Sequence, residues 1–174
     1  VETGVRLYYI DNFSAVTVQQ EEQVYKESKF FYVDSTFFDV FDFKLIAGNP
    51  EKCLAEPRSV VLTETVANKY FKDNEAINQL LKINGTDYTV TGIVADVPDN
   101  SHFEFNFLSS FSSIRQSRQE IWGSANYATY VKLKPGSNRK KLSKELDAKV
   151  MAALGDQFGL ISLNFEFFPL LDLH

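Results

Sequence analysis

The residues able to do acid–base or nucleophilic chemistry are few in this sequence. Its 174 residues include two histidines, His102 and His174, and one cysteine, Cys53. A single cysteine excludes an intrachain disulfide and a cysteine-based zinc site. Histidines 72 positions apart cannot form an HExxH metal pair. Metal and thiol chemistry therefore have little support in the residue types present.

One trio carries the side chains of a hydrolase triad. Asp96, Ser101 and His102 supply a carboxylate, a hydroxyl and an imidazole. No GxSxG elbow is present, and residues 99–101 have types that form turns, so we interpret His102 as a loop residue. A hydrolase stays one alternative, which His102→Ala in an activity screen would test. We expect no catalytic residue and no enzymatic activity.

Three aspartates and two sequons suggest other ligands. Asp34, Asp39 and Asp42 carry oxygen ligands for calcium, but their spacing does not match an EF-hand loop. We therefore expect Asp34 and Asp39 to cap a short helix. Residues 12–14 and 84–86 match the N-glycosylation sequon, and a turn explains the second match. The sequence predicts no metal, no cofactor and no glycan.

Nucleotide and nucleic-acid chemistry are also disfavoured. The eight glycines form neither GxGxxG nor GxxxxGK[ST], so we expect no ATP binding. The chain has 18 basic and 23 acidic residues and a net charge of −5, which argues against nucleic acid as a partner. Lys140, Lys141, Lys144 and Lys149 could face a phosphate-rich surface. Such a run is more often the solvated side of an amphipathic helix.

The elements that must position these residues are mostly strands. Hydrophobic residues make up 44% of the chain, with 16 Phe and 8 Tyr, as expected of a sheet-rich fold. We predict a polar, Ser-rich loop from about residue 108 to residue 124. The predicted strands are Val5–Ile10, Ser14–Gln19, Val24–Val33, Val60–Leu62, Tyr127–Leu133 and Leu160–Phe168. The predicted helices are a short amphipathic turn within residues 37–45 that is followed by an irregular exit, one that starts after Thr63 and is ended by Asp73 and Asn74, and one at residues 138–154.

The pair Asn84-Gly85 is the clearest local signal. It lies between two apolar runs, and a type I′ hairpin needs positive φ at both of its central positions. After it, one set of alternate residues is predicted to face a core. These residues are Tyr88, Val90, Gly92 and Val94.

Five stretches in order resemble one family. They are FFYVDSTFFDVFDFKLIAGNP, AEPRSVVLTETVANKYF, LKINGTDYTVTGIVADVPDNSHFEF, YATYVKLKPGS and FFPLLDLH. Together they are similar to the extracytoplasmic core domain of MacB/FtsX-like ABC transporter permeases, especially the versions from Bacteroides-like bacteria. The resemblance spans about Val5 to His174. One departure is Asn78, where the family usually has glycine, and asparagine is the next-best residue for a left-handed turn.

The resemblance implies an α+β fold in two parts. Residues 1–48 and 127–174 would form a membrane-proximal, Porter-like sheet-and-helix subdomain. Residues 49–126 would form an inserted, distal, Sabre-like subdomain. The parent would have one transmembrane helix before this domain and three after it, so we interpret the chain as a piece of a longer protein.

The resemblance also implies function and partners. Such a domain would lie in the periplasm as part of an inner-membrane protein, and would couple ATP hydrolysis by a cytoplasmic ABC ATPase to a periplasmic substrate or partner. A second permease copy would complete a dimer. We expect His102, Phe103 and Trp122 to contact the partner, since loops and Trp are enriched at binding sites. For Trp122 a buried core position is the alternative. A secreted or surface module that binds glycans or proteins is the alternative.

The membrane topology makes a geometric prediction. The strand Leu160–Phe168 should pair in parallel with Tyr127–Leu133, joined by the helix whose Leu142, Leu146, Val150 and Leu154 cover the sheet. The hairpin at Asn84 should lie far from the C-terminus.

Overall fold

The structure, a computed structural model, describes residues 1–10, 15–71, 76–119, 126–154 and 164–172. These residues form ten strands and three α-helices. The strands are β1 Thr3–Tyr9, β2 Val16–Gln20, β3 Gln23–Glu27, β4 Phe30–Val33, β5 Leu45–Gly48, β6 Ser59–Thr63, β7 Leu80–Ile83, β8 Thr86–Val94, β9 Phe107–Ser110 and β10 Ala128–Lys132. The helices are α1 Phe37–Val40, α2 Glu64–Phe71 and α3 Arg139–Leu154, and 3₁₀ turns lie at Phe111–Ser113, Arg115–Arg118 and Leu170–Asp172.

All ten strands belong to one mixed sheet. Its order is β10-β1-β4-β9-β6-β8-β7-β2-β3, with β5 paired to β8. The pairs β4–β9 and β6–β8 are parallel, and the other pairs are antiparallel. The α+β class predicted from the sequence is confirmed.

The sheet is strongly curved. β3 stands at one end of the strand order and β4 stands third from the other end. Yet the last residue of β3, Glu27, and the first of β4, Phe30, are only three positions apart. Three residues of extended chain reach at most about 10 Å, so the end of β3 must lie near β4. The sheet thus wraps around α2, whose Lys69 and Tyr70 side chains reach Glu27.

The central strands β4, β6 and β9 are buried on both faces. Their side chains alternate between two cores, as the period of a strand requires. In β4, Phe30 and Tyr32 pack in the core around α2, whereas Phe31 and Val33 pack in the core beside α1. Such doubly covered strands need continuous apolar runs rather than alternation, which is the pattern of FFYV and SVVL.

Two turn predictions are confirmed by the backbone. Asn84 and Gly85 have φ of 47° and 78°, as a type I′ hairpin requires, and they join β7 to β8. Asn78 has φ of 65°, in the left-handed region predicted for it. Its amide donates to the Val90 carbonyl at 2.8 Å, so this turn starts the pairing that β7 continues along β8.

The predicted strand Val24–Val33 is wrong as a single element. It breaks at Ser28 and Lys29 into β3 and β4, because Lys29 takes φ of 59°. The Lys29 carbonyl accepts from the Asn106 amide at 2.8 Å, so the break is held by a contact that lies far away in the sequence.

The predicted polar loop after residue 108 is also wrong in its first part. Ser109 and Ser110 belong to β9 and are buried. The Ser109 hydroxyl donates to the Ser59 carbonyl at 3.0 Å, and the Ser110 and Ser112 hydroxyls share a hydrogen bond. Serine is tolerated in this strand because these contacts satisfy its polar atoms.

The C-terminal region differs from its prediction. The helix at residues 138–154 is confirmed as α3, and the Asn138 side chain accepts from the Lys141 amide at 3.0 Å. Of the predicted strand Leu160–Phe168, residues 160–163 lie outside the described residues. Residues 164–168 form no strand, so the predicted parallel pairing is wrong there. Instead, the Phe165 amide donates to the Asp147 carboxylate on α3 at 2.7 Å.

The two spans of the predicted subdomain division share the sheet. β4 pairs with β9, β5 with β8, and β2 with β7, so strands from residues 1–48 and 49–126 are interleaved. The division into Porter-like and Sabre-like parts stays a prediction. Within the described ranges, no helix has the length and apolar character needed to cross a bilayer.

Candidate functional site

A cluster of aromatic rings lies where α1 meets the segment before β9. The sequence FFDVFDF bends from the single turn of α1 into extended chain, so its rings converge on Phe37 at the centre. Phe103 and Phe105 approach from the segment before β9, since alternate residues of an extended chain share a face. Ring centroids lie 5.1–6.3 Å from that of Phe37 for Phe38, Phe41, Phe43, Phe103 and Phe105.

The outer side of this cluster opens into a groove of about 420 Å³, which we call the aromatic groove. Phe41, Phe43 and Phe103 form its apolar wall, and His102 lies at its edge. Leu170, from the C-terminal 3₁₀ turn, also lines it. Polar and charged residues also line the groove, namely Asp42, Lys44, Asp96, Asn100, Ser101 and His102. The aromatic wall suits an apolar side chain of a partner.

A second groove, of about 490 Å³, lies on the other side of Phe41 and follows β10; we call it the strand groove. Tyr130 forms part of its wall, and burial raises the pKa of that phenol. Phe167, Phe168 and Leu170 of the C-terminal segment, residues 164–172, line its opposite side. Leu170 belongs to both grooves, so the C-terminal segment links them.

The structure places two of the three predicted contact residues together. The His102 ring lies 6.3 Å from the Phe103 ring and 6.2 Å from the Tyr130 ring, edge-on to both. Trp122 lies outside the described residues, so its role stays a prediction. Phe41, Tyr130 and Leu170 were missed by sequence reasoning. Their signal was present only indirectly, in the stretches FFDVFDF, YATYV and FFPLLDLH that carry the family resemblance.

Asp96, Ser101 and His102 all line the aromatic groove, but the hypothetical triad is not supported by its aspartate. The Asp96 carboxylate accepts from the Thr65 amide at 3.0 Å and from the Thr65 hydroxyl at 2.6 Å. Thr65 lies in the first turn of α2, where free amide groups favour a carboxylate. Both oxygens of Asp96 therefore serve the start of this helix.

The prediction that Asp34 and Asp39 cap α1 is wrong. Asp39 lies inside the helix, and Asp34 has another partner. Its carboxylate binds Arg6, accepting from the backbone amide at 2.9 Å and from Nε and Nη2 at 2.9 and 2.8 Å. Thr36 occupies the N-cap position and makes no side-chain cap bond. The hydrogen bond that Arg6 donates to the Asp34 carboxylate raises the pKa of Arg6, whose guanidinium also lies 4.3 Å from the Phe111 ring centre.

Other reactive side chains have structural partners. Cys53 is buried beneath the turn before β6, and this burial raises the pKa of its thiol to about 11, so it is not a reactive thiolate at neutral pH. Glu27 is buried and accepts from Tyr70 at 2.6 Å and from Lys69. Among the described residues, no group of three or more His, Cys, Asp or Glu side chains could hold a metal ion.

The fold is similar to that of several solved structures. It is similar to a domain assigned to a permease protein from Porphyromonas gingivalis, with a TM-score of 0.73 and 21% identity over 91% of this chain and 67% of that one. It is also similar to the periplasmic region of MacB from Actinobacillus actinomycetemcomitans, with a TM-score of 0.60 and 15% identity over 86% and 83%. The extracellular domain of the ABC-type transporter YknZ from Gram-positive bacteria gives 0.58 and 14% over 94% and 80%.

Residues 4–149 match the family model of the MacB-like periplasmic core domain. The chain therefore belongs to the MacB-like periplasmic core domain family, as the ordered stretches predicted. It is a periplasmic domain of an ABC-type permease. A search of curated proteins finds no match.

Proposed function

We propose that this domain is not an enzyme and passes conformational change from a cytoplasmic ABC ATPase to a periplasmic substrate or partner. ABC transporters of this family work with such ATPases. The observation that carries the proposal is the aromatic groove, which presents a wall of Phe41, Phe43 and Phe103 to a partner, although Asp42, Lys44, Asp96 and His102 also line it. The hydrolase alternative is disfavoured because both carboxylate oxygens of Asp96 accept hydrogen bonds from Thr65.

The partner contact in this proposal is the edge of the aromatic groove at His102 and Phe103. Phe103 is only partly buried, although its ring packs 5.2 Å from Phe41 and 5.8 Å from Phe43. An aromatic ring held in place by other rings loses little entropy when a partner covers it, which favours binding. The periplasmic partner, the ATPase and a second permease copy are the assembly that we propose around this contact.

The test uses the complete permease, reconstituted with its ATPase. Phe103→Ser should lower the rate of transport driven by ATP hydrolysis by at least about tenfold, because the ring that contacts the partner is removed. Val24→Ser on β3, another exposed apolar side chain, is the matched control and should change the rate less than about twofold. Circular dichroism of both variants establishes that they fold. Equal rates for both folded variants would contradict the proposed contact.

The absence of catalysis is tested separately on the 174-residue chain. We expect no saturable ATP binding by calorimetry and no phosphate release, because the sequence has no phosphate-binding loop. Micromolar ATP binding would contradict this expectation.

The parent gene gives a further test, since a permease should encode an apolar run of about 20 residues just before Val1 and just after His174. A secreted module would lack both.

A further inference from the structure

The negative charge of the chain is concentrated around the aromatic groove. The residues that line the groove, together with their neighbours up to two positions away, are residues 39–46, 93–105 and 168–172. They hold six of the 23 acidic residues and one of the 18 basic ones, so their formal net charge is −5. The remaining 17 acidic and 17 basic residues cancel. The six acidic residues are Asp39, Asp42, Asp96, Asp99, Glu104 and Asp172.

Basic residues from other parts of the chain compensate this charge only in part. Lys29 forms an ion pair with the exposed Glu104, and Lys132 donates to the Asp39 carbonyl at 3.2 Å. Counting both of these lysines changes the net charge around the groove from −5 to −3. The groove therefore keeps an excess of carboxylates.

Asp42 is the carboxylate in the groove lining that is available to a partner. It is exposed and stands in the sequence between Phe41 and Phe43, two rings of the apolar wall. Among the described residues, none forms an ion pair or a hydrogen bond with its carboxylate. Asp96 also lines the groove, but both of its oxygens accept hydrogen bonds from Thr65. An aromatic wall and an unengaged carboxylate are thus presented side by side.

We propose that the aromatic groove binds a segment of the periplasmic partner in which lysine or arginine flanks an apolar side chain. The apolar side chain packs against Phe41, Phe43 and Phe103, and a basic side chain pairs with Asp42. Opposite charges across an interface select the partner and speed association. A basic group near the partly exposed ring of Phe103 also gains cation–π attraction.

Other segments fit this groove less well. An acidic segment would meet an excess of charge of its own sign, even though Lys44 is part of the lining. An uncharged apolar segment would take water from Asp42 without replacing it by a counter-charge, which costs free energy. This inference rests on the proposed partner contact and adds the chemistry of the partner, so the experiment must separate the two.

The test titrates the isotope-labelled 174-residue chain with capped pentapeptides and follows the amide signals of His102 and Phe103. The peptides carry a central phenylalanine between two lysines, two glutamines or two glutamates. We expect the lysine peptide to bind about tenfold more tightly than the glutamine peptide at about 50 mM NaCl, and the glutamate peptide to bind most weakly. The advantage of the lysine peptide should shrink as NaCl rises to about 0.5 M. A lysine peptide with glycine at its centre should not saturate, because it has no apolar side chain for the groove.

Two double variants locate the charge that matters. Asp42→Asn with Asp99→Asn should weaken binding of the lysine peptide about fivefold and leave the glutamine peptide within about twofold. The matched control, Glu22→Gln with Glu51→Gln, removes the same charge outside the groove and should weaken the lysine peptide less than about twofold. All four side chains are exposed, and circular dichroism checks that the variants fold. Equal losses in the two double variants would overturn the proposal, since only net charge would then matter.

Phe103→Ser separates this inference from the contact on which it rests. If the lysine and glutamine peptides bind equally well and both lose affinity in Phe103→Ser, the contact stands and its basic partner is wrong. If Phe103→Ser changes the affinity of no peptide, the contact itself is wrong, and this inference fails with it. Dimerisation that sedimentation detects and Phe103→Ser abolishes would assign the groove to a second copy of the chain and overturn the proposal.

Discussion

Two regions of this domain differ in how tightly their side chains are packed. In the core around α2, the apolar residues of β4, β6 and β9 are buried on both faces of the sheet. At the other end of the strand order, α3 faces β10 across a cavity of about 380 Å³. Of the apolar stripe on α3, Val150 is buried, while Leu142, Leu146 and Leu154 are only partly buried.

The polar groups of the two regions also differ in how far they are buried. Throughout the described residues, every buried side-chain nitrogen or oxygen has a hydrogen-bond partner. In the core these partners include charged and long-range ones, such as Glu27 with Tyr70 and Tyr32 with Tyr88. Residues 132–149 instead keep their seven lysine and arginine side chains exposed. The comparison indicates that the curved sheet holds most of the buried contacts, whereas β10, α3 and the C-terminal segment leave more of their side chains exposed.

The sharpest test of this difference is a matched pair of leucine truncations. Leu62 in β6 is fully buried, so Leu62→Ala should cost about 4 kcal/mol of unfolding free energy through lost transfer energy and a cavity. Leu146→Ala on α3 removes a half-buried side chain beside an existing cavity and should cost about 1 kcal/mol. Urea unfolding measures both. Equal losses would mean that the two regions are packed alike.

The second pair removes hydroxyl groups from tyrosines. Tyr70→Phe takes a hydrogen bond from the buried Glu27 carboxylate and should cost about 2 kcal/mol. Tyr130→Phe at the strand groove is the control, since no described residue hydrogen-bonds that hydroxyl, and it should cost less than about 0.5 kcal/mol. Thermal unfolding followed by circular dichroism compares them. A larger loss for Tyr130→Phe would reverse the assignment of stability to the core.

The parts of the fold that the sequence predicts are those decided by neighbouring residues. The Asn84-Gly85 hairpin, the left-handed Asn78 and the helix α3 follow from local conformational preference and helical periodicity. The alternation along β8 was equally predictable, because one of its faces packs in a core and the other is only partly covered. In each case the residues that determine the structure are close to one another in the sequence.

The parts that were missed depend on distant contacts. The break at Lys29 is held by Asn106, and the buried Ser109 is satisfied by the Ser59 carbonyl. Neither partner is visible from the local pattern, so a continuous strand and a polar loop were predicted. The candidate site shows the same limit. Phe103 could be proposed from its own loop, but Tyr130 and Leu170 join it only through the folded chain.

Alkaline pH should destabilise the core specifically. Burial raises the pKa values of Tyr32 and Tyr70, and hydrogen bonds with Tyr88 and Glu27, respectively, raise them further. Burial also raises the pKa of Cys53 from 9.0 to about 11. The folded state therefore holds protons that the unfolded chain releases. The contribution of these groups to the free energy of unfolding is fully present below about pH 9. It falls as the pH rises, first because the unfolded chain deprotonates Cys53 and above about pH 10 because it deprotonates the tyrosines. Each group lowers the free energy of unfolding by about 1.4 kcal/mol per pH unit.

Urea midpoints between pH 8 and pH 11 measure this effect. Tyr32→Phe should reduce the slope above about pH 10, while Leu146→Ala should leave the slope unchanged because it removes no titrating group. A midpoint that stays constant to pH 11 would contradict the burial of these groups.

The smallest expected effect concerns the attachment of the C-terminal segment to α3. The Phe165 amide donates to the Asp147 carboxylate at 2.7 Å, and both groups lie at the partly exposed end of the molecule. Asp147→Ala should therefore cost less than about 1 kcal/mol of global stability, because water replaces the lost acceptor. Its effect should be local, with amide exchange at Phe165 accelerated about tenfold and the core amides of β6 unchanged. Asp147→Asn keeps an acceptor oxygen and should restore slow exchange at Phe165. If Asp147→Ala instead accelerated exchange in β6, the C-terminal segment and the stable core would form one cooperative unit, and the division drawn between them would fail.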